Sequence, residues 1–465
     1  MHKQLTCWLL YLLLASPVLP STYYVATNGS DTAAGTSWDT AFLTINKGVL
    51  SRTAGDKVIV SNGTYVLAAS IVLTNGITLE SFSGATNTII DANNINHGVE
   101  MRGPTDVLDG FTITNGCVQW TPYPADQGGG VWCKSGGIVQ NCLIMNNKAP
   151  AAYKGAGVWL VDSTMINCRI ISNIAQGSIG GISMAGSSIL TNCTIQGNIS
   201  CKGSGGGIAG GGAIYNCKIL NNTAGTNGGT AWLAGGGIYS GTDVVDICAC
   251  LISSNTVLGS GDKYGGGVAS WDHGGAIRTT IRNCTIQYNE ANSGGGVNLQ
   301  TDLMENCLVV SNRASANGGG IQVGYDYALM RNCTIVGNTA GGQGGGIKFY
   351  HGGRADNCIV VSNISVGAGT NWYIDAGYSA VMTNSCTTPT NAIVGTGNIT
   401  NNPSFVNYSG GNYRLAANSP CINKGTNQDW MTNAVDLDGK IRIRYGTVDM
   451  GAYERIYEGT SYKFH

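Results

Sequence analysis

Charge is scarce in this chain. Of 465 residues, 25 are Lys or Arg and 26 are Asp or Glu, leaving a formal net charge of −1. A surface that grips nucleic acid needs clustered cations, so that class is excluded. Apolar runs of membrane-spanning length are absent after the N-terminal segment, so no later stretch reads as a transmembrane helix. Glycine-free stretches are equally short: Gly accounts for 71 residues, and inside a helix each costs ~1 kcal/mol against Ala. The glycine runs also lack the Lys and the following helix of a phosphate loop. Disorder is excluded by the 43% of residues that are hydrophobic.

What is present is a repeat. A glycine run followed by Ile or Val recurs, as in GGGVWC from Gly128 and GGGIKF from Gly344, and each leads to an Asn-Cys element. The ladder cysteines are Cys142, Cys168, Cys193, Cys217, Cys250, Cys284, Cys307, Cys333 and Cys358, spaced by 23 to 34 residues. An Asn lies five residues after each of them, from Asn147 to Asn363, and another precedes all but Cys250, where Ala249 stands instead. Such a period means stacked repeats. Alternating apolar residues in NCTIV and NCLVV require strands. The spacing therefore predicts an all-β, single-stranded, right-handed parallel β-helix whose coils lie ~4.8 Å apart. Corner Asn residues suit a left-handed backbone and can hydrogen-bond from coil to coil. Glycine runs suit corners where a side chain would meet the next wrap.

His2 and Lys3 precede the apolar run LTCWLLYLLLA, and Ser16 to Ser21 offers a cleavage zone. This reads as a signal peptide and predicts a secreted protein, extracellular or at a bacterial cell surface. Sixteen cysteines in an exported chain suggest disulfides. Nine at one repeat position imply an inward stack of free thiols instead, because parallel Cβ vectors are too far apart for a disulfide and a straight ladder does not converge on zinc. Cys117, Cys133, Cys201, Cys248, Cys386 and Cys421 lie off the ladder and are open to pairing.

Open β-helix ends need caps. The stretch from Thr36 carries a Ser/Asp helix start that predicts a helix to about Ser51, then a strand opening at Gly55-Asp56. With Tyr23–Val25, Asn28–Asp31 and Gly63–Tyr65, this region resembles the N-terminal start of pectate-lyase-like β-helix proteins. The other end, with Asn402-Pro403, Tyr413–Leu415, Ser419-Pro420, Gly425, Asp436, Asp438-Gly439, Arg442 and Asp449 through Glu454, resembles the choice-of-anchor Q domain of exported bacterial β-helix proteins. The coils resemble the repeats of polymorphic outer-membrane proteins. The expected division is a signal peptide at 1–21, a cap and first coils at 22–100, repeats at 101–385, a C-terminal module at 386–455 and a tail at 456–465. Asp436-Leu437-Asp438-Gly439 invites a calcium reading, but calcium takes six to eight oxygens and two carboxylates are evident. A turn, or pairing of these carboxylates with Arg442 or Arg444, is the expectation, and no metal or other cofactor is assigned.

Loops that break a solenoid's period gather on one face and make its binding site. From corner Asn to the third Gly of the next run most coils use seven to ten residues, but Asn222 to Gly237 uses 15 and Asn255 to Gly267 uses 12. Gly267 to Cys284 uses 17 where most coils use ten to thirteen. These expansions carry Trp232, Asp262, Lys263, Tyr264, Trp271, Asp272 and His273. Past the glycine runs, Asp243, Asp302 and Asp326 share one offset, joined by Tyr325, Tyr327, Tyr350 and His351. Aromatic faces beside carboxylates suit a neutral or weakly charged sugar chain. Two functions follow. One is a monomeric structural or adhesive surface protein that contacts a polysaccharide. The other is a lyase or glycoside hydrolase with Asp262, Lys263, Asp272 and His273 as its catalytic candidates. Carboxylates one or two coils apart would stand ~5 or ~10 Å apart, near the retaining and inverting separations. The Asp-Asp and His-Gly motifs of polygalacturonase-like β-helices are missing, which favours the first.

Overall fold

The computed structural model describes residues 20–455 except 51, 96, 119–126, 151–154, 228–232, 242, 260–261, 272–277 and 391–392. The proposed signal peptide and the tail at 456–465 fall almost wholly outside that range. The chain is a right-handed parallel β-helix. Each coil runs through four parallel sheets in turn. The first, of 12 described strands, follows the glycine runs, as at Ile238–Gly241. The second, of 14, ends at the Asn-Cys turn; the third, of 13, follows the cysteine; the fourth is a ladder of nine two-residue strands after the corner Asn. Inward side chains form one continuous apolar core from Val25 to Met382.

The two kinds of Asn divide the corner work. Those preceding the cysteines take the left-handed backbone, with φ from 49° to 56° between Asn141 and Asn357. Those five residues after the cysteines do not; they are buried and form the ladder. Asn222 shows the pattern. Its Oδ1 accepts from the backbone N–H and the Nδ2 of Asn198, both at 3.0 Å. Its Nδ2 donates to the Ile195 carbonyl and to Asn255 Oδ1, both at 2.9 Å. The ladder starts at the Gly116 N–H and ends on Asn371, which donates to Thr388 Oγ1 at 2.9 Å.

The thiols stack as expected. All nine ladder cysteines are free and buried, as are Cys117, Cys133, Cys201, Cys386 and Cys421, while Cys248 is free and half-buried. The Cys217 N–H donates to Cys250 Sγ at 3.4 Å, and Cys250 Sγ points back to its own Cys248 carbonyl at 3.3 Å. Burial pushes the Cys133 thiol up to about 12 and raises Cys168, Cys307 and Cys358 well above the usual thiol range.

The N-terminal helix is shorter than its sequence signal. A 3₁₀ turn at Trp38–Thr40 and helix α1, Ile45–Val49, flank an extended break at Phe42. The Phe42 N–H donates to the Tyr24 carbonyl and the Phe42 carbonyl accepts from Ala26, both at 2.9 Å, so sheet pairing overrides helix propensity there. Asp31 Oδ1 then accepts the Leu43 and Thr44 N–H groups, and Thr44 caps α1.

At the other end, residues from Phe405 onward lie along the third sheet. Phe405, Tyr413 and Leu437 cover Leu308, Val310 and Val336. Left-handed Asn residues of three successive coils reach the module: Asn306 to the Val435 carbonyl at 2.8 Å, Asn332 to Asp449 at 3.1 Å and Asn357 to Thr426 at 2.9 Å. Its centre is the fully buried Arg442, which pairs with Glu454 at 3.1 Å. Asp436 accepts the N–H groups of Asp438, Lys440 and Glu454, and Asp438 pairs with Arg414 and Lys440.

Asn222→Ala would orphan the Asn198 N–H and the Ile195 carbonyl, so a loss of roughly 2–5 kcal/mol in urea unfolding and of amide protection at Asn198 is expected. Ala249, exposed at φ 56° where eight other coils carry Asn, is expected to gain about 1 kcal/mol in the same assay as Ala249→Asn. Burial raises the Glu454 carboxyl to about 8 despite Arg442. A raised carboxyl stabilises the fold below its unfolded value and loses that contribution as pH climbs to about 8. Tm should therefore fall between pH 5 and 8 (roughly the span from unfolded to folded pKa), and Glu454→Gln should flatten that fall.

Candidate functional site

Side chains of the first sheet that point away from the solenoid core form a registered row, most of it buried beneath neighbouring segments or deep in a cleft. Strand pairing aligns Trp132 with Trp159, then Ser183, Ala209, Tyr239 and Ala269. The row continues through Asn298, Gln322, Lys348 and Tyr373. Residues on either side of each face the core. Trp132 and Trp159 stack with centroids 5.0 Å apart and rings tilted by 26°.

Between Trp159 and Tyr239 the row drops to the small residues Ser183 and Ala209, and a cleft of about 690 Å³ opens over them. Three coil steps separate the two rings, or ~14 Å. Ile179, Lys202 and Ser204 form the wall on the glycine side, Leu233 and Asp243 line the Tyr239 end, and Ser178 adds a hydroxyl. Burial raises the Tyr239 phenol, and the Asp243 carboxylate adds to the shift. Among the described residues, Asp243 is the one carboxylate lining the cleft and Lys202 the one ammonium. Two apolar ring faces, a floor without bulk and a few hydroxyls make a trough that can both stack and hydrogen-bond.

A second cluster lies at the far edge of the same sheet. His351 sits among Tyr325, Tyr350 and Tyr378, with ring centroids 5.4, 4.9 and 4.8 Å away. Tyr350, Tyr327 and Tyr378 are exposed. Asp326 abuts the backbone of Gly352. Lys348 is buried, pairs with Asp375 and Gln343, and lies 4.3 Å from the centre of the Tyr373 ring.

The sequence candidates thus separate. Tyr325, Asp326, Tyr350 and His351 come together in this second cluster, joined by Tyr378. Asp302 is fully buried and accepts the Thr279 N–H at 2.9 Å, so it lines no surface stripe. The expansions after Asn222 and Asn255 pair with each other, Leu233–Ala234 beside Lys263–Tyr264. That pairing buries Lys263, whose ammonium is lowered by burial against the pull of Asp262. Asp262 is exposed, and burial with Asp262 and Tyr350 pushes Tyr264 up to about 12. Trp271 is 38% exposed. Trp232, Asp272 and His273 lie outside the described residues. Among the described residues no group of three or more His, Cys, Asp or Glu side chains converges on a metal site, and no helix is long and apolar enough to cross a membrane.

Trp159, Tyr239 and Ile179 were not singled out by sequence reasoning. The signal was nonetheless present: the outward row is the second residue after the third glycine of every run, Trp159 after Gly157 and Tyr239 after Gly237. The acidic and aromatic residues at the later offsets lie on the turn beyond the strand: Asp243 reaches the cleft, and Tyr325, Asp326, Tyr350 and His351 form the second cluster.

No family model matches this chain, and no curated protein matches it. Similar solved structures include pectate lyase Pel9A, at 15% identity over 94% of this chain and 96% of that one with a TM-score of 0.38. A rhamnogalacturonan lyase aligns at 13% identity over 83% and 91%, TM-score 0.34. A PL6 alginate lyase in complex with a trisaccharide aligns at 14% identity over 81% and 84%, TM-score 0.36. Likenesses this distant do not bear on the chemistry of the cleft.

Proposed function

We propose that this is an exported bacterial β-helix protein, adhesive or structural, that holds a neutral polysaccharide against the outer face of its first sheet. The observation that carries the reading is the cleft between Trp159 and Tyr239, floored by Ser183 and Ala209. Aromatic rings at both ends and small residues between them suit a sugar chain laid along the solenoid axis. The Tyr325–Tyr350–His351–Tyr378 cluster offers a second aromatic contact on the same side of the coil. Among the described residues one carboxylate lines the cleft, whereas glycoside hydrolysis works through a pair, which supports binding over hydrolysis. The apolar N-terminal segment supports export, and the lateral C-terminal module is the proposed choice-of-anchor Q domain.

Mixing the purified protein with neutral and acidic polysaccharides and following polymer size by size-exclusion chromatography tests this. Intact neutral polymer co-eluting with protein is the expected result, and shortened polymer would overturn it in favour of an enzyme. Trp159→Ala and Tyr239→Ala are each expected to weaken retention by roughly tenfold, the equivalent of one lost ring contact.

A further inference from the structure

In every coil but one that a described glycine run opens, the first residue of the run is glycine in the left-handed backbone; in the cleft it is Ile179, at φ 65°. Strand pairing places Ile179 level with Gly155 in the preceding coil and Gly205 in the following one, at φ 64° and 73°. For a β-branched residue this conformation is strained, because its Cβ crowds the following backbone. The neighbours show how tightly. A Cβ on Gly155 would lie 2.2 Å from the Val158 carbonyl oxygen, and one on Gly205 would lie 2.9 Å from that of Ile208. The backbone cannot easily turn away, since the Ile179 carbonyl accepts the Ala156 N–H at 3.1 Å and the Gly180 N–H donates to Gly205 at 3.3 Å.

The same geometry fixes where the side chain goes. A Cβ on Gly205 would lie 2.7 Å from the Cβ of Ala209, the outward residue of that coil. A side chain at this position therefore leans over the outward row. Ile179 is 7% exposed and lines the cleft together with Trp159, Ser183 and Tyr239. An aliphatic shoulder thus stands over the floor at Ser183, between the two aromatic ends. Backbone strain held in place at a site wall is a mark of selection for the site and against stability.

We infer that Ile179 is a specificity-determining residue: its side chain closes the glycine side of the cleft, so that an unbranched neutral glycan fits along the row and a chain with side branches does not. The inference rests on the glycan reading of the cleft. With glycine at 179 the aliphatic shoulder would be gone, and a branch could leave the cleft toward the fourth sheet.

The test compares linear and branched oligosaccharides sharing one backbone, mannohexaose against its galactosylated form and xylohexaose against its arabinosylated form. The wild-type protein is expected to favour a linear chain over its branched partner by ~10-fold or more in Kd, and Ile179→Gly to bring the pair within ~2-fold. Relief of the left-handed strain should also raise Tm in Ile179→Gly by about 1–3 °C. Ile179→Ala keeps the Cβ in the same backbone conformation but removes the shoulder, so it should relax selectivity with no gain in Tm. If both variants keep wild-type selectivity while Trp159→Ala loses binding, the cleft is the glycan site and the role of Ile179 is refuted. If Trp159→Ala binds as well as wild type, or wild type binds no probe, the reading of the cleft itself is overturned.

Discussion

One buried amide per coil holds this solenoid in register. Where the chain turns from the third sheet to the fourth, the backbone N–H of the ladder Asn faces the next coil and finds the side-chain oxygen of the next Asn. That stack requires the neighbouring backbone to come very close. A Cβ on Gly237 would stand 3.1 Å from the Asn255 amide and 2.6 Å from the Gly267 carbonyl oxygen. The third glycine of each run and the Asn five residues after each cysteine are therefore two views of one contact. Neither can change alone: any side chain on the glycine would push against the amide ladder that spaces the coils.

Stacking in register sets every side chain beside its equivalents ~4.8 Å above and below, and that decides which residues are tolerated. Neutral thiols repeat without penalty and share weak hydrogen bonds with the backbone. Charges cannot repeat in this way. On the outer face of the second sheet, Arg282, Glu305, Arg331 and Asp356 follow one another in register with alternating sign. Like charges so close would repel, whereas alternation lets Arg331 meet Glu305 at 3.1 Å. The scarcity of charge in the sequence follows from the same geometry, because most outward rows hold side chains that can sit beside copies of themselves.

The architecture was legible because the repeat encodes contacts made once per coil: Cys-to-Asn spacing, glycine runs and apolar alternation each report a local requirement met nine times. What the repeat could not reveal was how its asparagines share the work, since both kinds sit beside turns and only the folded backbone and its hydrogen bonds distinguish Asn216 in the left-handed region from Asn222 in the ladder. The long N-terminal helix failed for a different reason. Phe42 is claimed by Tyr24 and Ala26, partners 16 to 18 residues earlier in the chain, which local propensity does not register. Among the site candidates past the glycine runs, Tyr325, Asp326, Tyr350 and His351 do meet. Asp302 shares the offset of Asp326, but its carboxylate is drawn inward to the Thr279 N–H.

Because stability here is decided by the inward rows and the corners, the outward row of the first sheet can change from coil to coil without disturbing the stack. It does change, from paired tryptophans through Ser183 and Ala209 to Tyr239, and later to Asn298, Gln322 and Lys348. A purely structural solenoid has no need of such a gradient, and still less of Ile179 in a backbone conformation that its neighbours reserve for glycine. Variation where the fold permits it is uninformative by itself. Variation that the fold resists, at a residue overlooking a cleft between two aromatic rings, is the physical reason to place recognition there.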